Sequence, residues 1–178
     1  MALSRITNGG VASSGLPSGS IIQVRKTQVT TDSTLPLSAQ TDTVVTGFTV
    51  NITPTSTSSI IKCEAMWMGE FGDDDPNSFD HMFFFYRDTT KLGYTGTAGN
   101  RNYGVAPATR TYFAEDQNST PETAYLSFFD SPSTTSQITY TLLAGPWGGN
   151  NSTTFEINRS RGDGERGGAQ ITLWEISG

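Results

Sequence analysis

The residue types that most often supply a nucleophile and its base are nearly absent from this chain, which has one histidine, His81, and one cysteine, Cys63, among 178 residues. A serine or cysteine nucleophile works only with a base within hydrogen-bonding reach, and no glycine-flanked serine accompanies His81. The histidine stands between Asp80 and Met82 at the head of "HMFFFYR", the position of a residue that starts a strand. Cys63, in "IIKCEAMW", shares an alternating face with Ile61, Ala65 and Trp67 and reads as a small buried hydrophobe. One histidine and one cysteine do not make a structural zinc site within one chain. Asp73, Asp74 and Asp75 form the densest carboxylate cluster, but the run lacks the alternating ligands and closing glutamate of a calcium loop and reads as a solvated turn. No catalytic residue, metal ligand or cofactor is therefore assigned, and the chain is expected not to be an enzyme.

Three weaker signals remain. The triplet Arg161, Gly162, Asp163 matches an adhesion tripeptide, but three residues carry little information and chance, in a loop already rich in turn glycines, is the better explanation. The Asn-x-Ser/Thr triplets at Asn51, Asn118, Asn150, Asn151 and Asn158 are expected by chance in a chain rich in these residues, and matter only in a eukaryotic secretory pathway. The loop aromatics Tyr94, Tyr103, Tyr112 and Trp147 are the candidates for contact with a glycan or receptor, because an aromatic face stacks on sugar C–H groups while a polar tip hydrogen-bonds.

The elements that must carry these residues are strands. Charged residues make up only 16% of the chain and it has 19 glycines, a balance that disfavours long helices. With a net charge of −6 and 11 scattered Lys and Arg residues, nucleic acid is not an expected partner. Apolar runs fall far short of the ~20 residues that span a bilayer, so no membrane insertion is expected, and "MALSRITNGG" lacks the apolar centre of a secretory signal. Residues 1–18 are small and weakly patterned, and read as a flexible arm that precedes a β-sandwich over residues 19–178.

"GFTVNITP" alternates strictly, with Phe48, Val50 and Ile52 on one face and Thr49, Asn51 and Thr53 on the other. In the final strand Ile171, Leu173 and Glu175 share one face while Thr172, Trp174 and Ile176 share the other. "TAYLSFF" and "QITYTLLAG", joined by "DSPSTTS", read as a hairpin. The strand around Phe83 and Phe85 is apolar on both faces, since Met82, Phe84 and Tyr86 line its other side. A lone sandwich needs one buried face per strand, so Phe83 and Phe85, with Met66 and Met68, are the predicted subunit interface. Roughly eight or nine strands without a helical period predict an all-β, two-sheet antiparallel sandwich of jelly-roll type.

Three blocks, "GFTVNITPTSTSSIIK", "LSFFDSPSTTSQITYTLLAG" and the pair "INRS" and "ITLWEI", together with "GLPSGSIIQV", carry a family likeness. Over Leu16 to Ile176 the chain resembles a β-domain of virion structural and tail-fibre proteins of bacteriophages, especially those of marine bacteria and cyanobacteria. The resemblance implies a non-enzymatic virion component: a homotrimeric fibre or appendage knob, docked to other virion proteins by its N-terminal arm and contributing to attachment to a host surface glycan or protein. A head-decorating or vertex fibre and a stand-alone lectin-like module are the alternatives.

Overall fold

The structure, a computed structural model, describes residues 16–38, 41–70, 81–93, 103–107, 121–146, 153–160 and 164–178. The described elements are β1 (Ile21–Val29), β2 (Ser33–Leu37), β3 (Thr43–Ile52), β4 (Ile60–Gly69), β5 (His81–Arg87), β6 (Thr90–Leu92), β7 (Ala106–Pro107), β8 (Glu122–Asp130), β9 (Ile138–Pro146), β10 (Thr153–Ile157) and β11 (Ala169–Ile176). The all-β expectation holds: every strand pairing is antiparallel, and the sheets pack around a shared apolar core in the manner of a β-sandwich.

One sheet has the order β1-β11-β4-β8, and a second has β3-β9-β5-β6 with β7 also paired to β5. A small β10-β2 ribbon adds Phe155, whose ring lies 5.5 Å from Trp67 and 5.7 Å from Phe83. Period-2 alternation decides which side chains enter the core. In β4, Ile61, Cys63, Ala65 and Trp67 are buried while Lys62, Glu64, Met66 and Met68 stay partly exposed. In β3, Phe48, Val50 and Ile52 face inward, and Gly47, at φ 83°, lies within the register shift that bends the strand. Gly69 has a different reason: a Cβ there would run into the backbone carbonyl of Glu156, where β10 crosses the end of β4.

The predicted hairpin is corrected. β8 pairs with β4 and β9 with β3 and β5, so "DSPSTTS" crosses from one sheet to the other. Each strand has an apolar face to bury, and crossing lets Leu126 and Leu142 approach the same core from opposite layers.

The sandwich has two unlike ends. At one, the Gly19 amide donates to the Ser177 carbonyl at 2.8 Å and the Ser177 amide to Ser20 at 2.9 Å, close to the starts of β4 and β9. At the other, the end opposite the start of β1, Gly69 pairs with Glu122 and His81 with Pro146.

Candidate functional site

Of the polar clusters among the described residues, two hold the sheets together and a third lies on an outer face. Arg87, at the end of β5, reaches across the sandwich to Asp130, at the end of β8, with its Nη1 2.9 Å from both carboxylate oxygens. The Tyr140 hydroxyl donates to the same carboxylate at 2.6 Å. Burial, then that bond, pushes the Tyr140 phenol up, while burial pushes up the Cys63 thiol, which leaves it a poor nucleophile. Asp130 is thus a tie between layers as well as the residue that opens a turn.

Glu175 is fully buried on the inward face of β11. Its Oε1 accepts from the Thr55 amide at 2.6 Å, the Thr55 hydroxyl at 2.7 Å and the Ser59 hydroxyl at 2.6 Å, and its Oε2 from Gln23 at 2.5 Å. Burial opposes the charge, but the four donors outweigh it and hold the carboxyl below the ordinary range. The carboxylate pins the turn after β3 to both β1 and β11.

The third cluster lies outside. Lys62, Glu64, Tyr125 and Trp174 share the outer face of the four-stranded sheet, where Glu64 accepts from Lys62 at 2.6 Å, Tyr125 at 2.5 Å and Trp174 at 2.7 Å. Partial burial works against the Glu64 charge, yet these three bonds hold it below the ordinary carboxylate range. They also tie two aromatic side chains, Tyr125 and Trp174, to one carboxylate. Tyr125 is 62% and Phe129 59% exposed, and Ile21 and Val24 on the same face are exposed as well. Of the large exposed apolar or aromatic side chains among the described residues, only Val44 lies elsewhere.

The predicted interface quartet divides. Phe83 and Phe85 are each 0% exposed and belong to the core, so they are corrected from subunit contacts to interior residues. β5 lies inside its sheet, and its inward face meets Trp67 and Phe155 from the same chain. Met66 and Met68 remain half-buried on the outer face just described. Tyr103 is half-buried, its ring centroid 4.8 Å from the Lys91 ammonium. Tyr94, Tyr112, Trp147, the three aspartates at 73–75 and the Arg161–Asp163 triplet lie outside the described residues. His81 is buried with its ring 5.6 Å from Phe155, in keeping with a strand-initiating role. Asn158 is buried and uses its amide to bond Val29 and Thr31, which removes it as a glycan acceptor in the folded chain.

The sequence reading passed over Tyr125, Phe129 and Trp174, although the signal was present: "TAYLSFFD" puts large residues on both faces of its strand. A cavity of about 340 Å³ beside the Ser177 backbone is lined by Leu16, Ile22 and the hydroxyls of Thr55, Ser56, Ser58 and Ser59, none of which titrates near neutral pH. Among the described residues no three of His, Cys, Asp and Glu gather as a metal site, and no helix is long and apolar enough to cross a membrane. Compared with known proteins, the chain matches no family model and no curated protein. What the outer face offers chemically is stacking, burial and a few oriented hydrogen bonds.

Proposed function

We propose that this chain is a non-enzymatic structural subunit of a bacteriophage particle, a knob of jelly-roll type that assembles with copies of itself and contributes to host attachment. The observation that carries this reading is strand order. Setting aside the separate β10-β2 ribbon and β7, which lies off the main order, the eight remaining strands run first-eighth-third-sixth in one sheet and second-seventh-fourth-fifth in the other. That interleaving is the order expected of two nested Greek keys, an arrangement used by capsid and lectin domains. Fold alone does not fix function. The sequence likeness to phage virion β-domains supplies the other half, with a homotrimer as the assembly that the likeness implies.

The unlike ends suit the role. Gly19 is held at the Ser177 backbone, and docking to neighbouring virion proteins is assigned to the segment before it, while the opposite end, where Gly69 pairs with Glu122 and His81 with Pro146, is assigned to the host surface. Attachment of this kind draws on many weak contacts multiplied by copy number and needs no catalytic centre. Mass spectrometry and antibody-labelled electron microscopy of particles purified from the producing host test the reading. Stoichiometric presence at a tail or head position is expected; particles that lack the chain refute it.

A further inference from the structure

We propose that the outer face of the four-stranded sheet is the contact with a second copy of this chain, packed face to face about a twofold axis parallel to the strands between β4 and β11. The inference rests on the self-assembly reading above and names its surface and symmetry.

The cross-strand register builds the face in rows. Val24, Trp174, Lys62 and Phe129 form one; Lys26, Thr172, Glu64 and Ser127 the next; Gln28, Gln170, Met66 and Tyr125 the third. A twofold axis between β11 and β4 lays each row on its own reverse. Val24 then meets Phe129 of the second copy, Trp174 meets Lys62, Thr172 meets Glu64, and Gln28 meets Tyr125. Val24 packs on Phe129, an ammonium opposes an indole, a hydroxyl opposes a carboxylate, Gln170 lies on Met66, and no two like charges meet. Turning the axis across the strands through the middle row instead sets Glu64 against Glu64 and Lys26 against Lys26, which like-charge repulsion disfavours. The charge pattern therefore selects one axis.

Area is consistent with this occupant. Four strands about 4.8 Å apart, some eight residues long at about 3.3 Å each, present roughly 500 Å² of projected face. Two copies bury about twice that, near the lower bound of roughly 1,000 Å² for a specific interface. The aromatic groups are held in place by Glu64 before any partner arrives, so little side-chain freedom is lost on contact. Such a contact makes a dimer, or joins two rings of any order.

Sedimentation velocity on the intact chain at micromolar concentration tests the proposal. The wild type is expected at an even multiple of the subunit mass, and Phe129→Lys at half that multiple, with the contact weakened at least about tenfold. Val24→Lys, at the opposite margin of the face, is expected to do the same and keeps the test open if the first variant misfolds. Val44→Lys, exposed on the other sheet, is expected to keep the wild-type mass. An oligomer indifferent to both face variants, or a wild type with an odd number of copies, overturns the twofold face and leaves the assembly reading standing. A monomeric wild type overturns both, and glycan-array binding lost in Phe129→Lys would then assign the face to carbohydrate.

Discussion

The outer faces of the two sheets carry similar residues and meet opposite fates. On the five-stranded sheet, Phe84 and Leu143 point away from the central core yet are 0% and 3% exposed. Lys91, paired with Asp42 at 3.0 Å, sets its ammonium 3.8 Å from the centre of the Phe84 ring, and Gly104 is close enough that a Cβ on it would press on Met82. On the four-stranded sheet, Tyr125, Phe129 and Val24 remain in solvent. A strand apolar on both faces therefore does not by itself mark a subunit interface, because a chain can cover its own sheet. The informative apolar residues are those still uncovered once the chain has folded.

The comparison breaks or sharpens under mutation, and unfolding in urea at fixed protein concentration measures each case. The largest effect is expected from Phe84→Ala: a fully buried aromatic lost from a covered face costs about 3–5 kcal/mol. A cost below about 1 kcal/mol would mean that the cover is loose and the two faces are alike. Glu175→Gln comes next, at about 2 kcal/mol, because the amide sets a donor against a site furnished with donors.

That variant also changes the acid limb. The folded carboxyl of Glu175 titrates below its ordinary value of 4.5, so its stabilisation is complete above that pH and disappears as pH falls through the lower folded value. Stability of Glu175→Gln should accordingly fall less steeply with acid than that of the wild type, and an unchanged slope would contradict the four-donor account.

Lys91→Ala is expected to cost about 1 kcal/mol through the lost cation–π contact and a partly screened ion pair. Phe129→Ala should be the mildest, within about 0.5 kcal/mol for the fold of a single subunit, since its ring meets water. A large loss there, measured on dissociated subunits, would show that the exposed face stabilises the fold of the subunit itself.

Much of the core was legible in alternation. Ile61, Cys63, Ala65 and Trp67 in β4, and Phe48, Val50 and Ile52 in β3, lie inward as their spacing requires, because successive side chains of a strand must point to opposite faces. Glu175 was placed on the face of Ile171 and Leu173 by the same rule, but its burial with four donors was not, since those donors come from Gln23, Thr55 and Ser59, far away in sequence. The short strands β2, β6 and β7 escaped notice because two to five residues carry too little pattern, and Pro36 and Pro107 lie inside two of them.

Local residue order determined that this protein is built of strands, where most of them lie and which side chains each strand offers to an interior, because those are matters of backbone geometry and of period two. Which strands become neighbours, and hence whether an apolar outer face is covered by its own chain, was decided only by the tertiary structure. Pairing joins segments more than 100 residues apart, such as β1 and β11, and no local periodicity encodes that choice. The same crossing connections that carry β8 and β9 into different sheets buried Phe83 and Phe85 and left Tyr125 and Phe129 in the open.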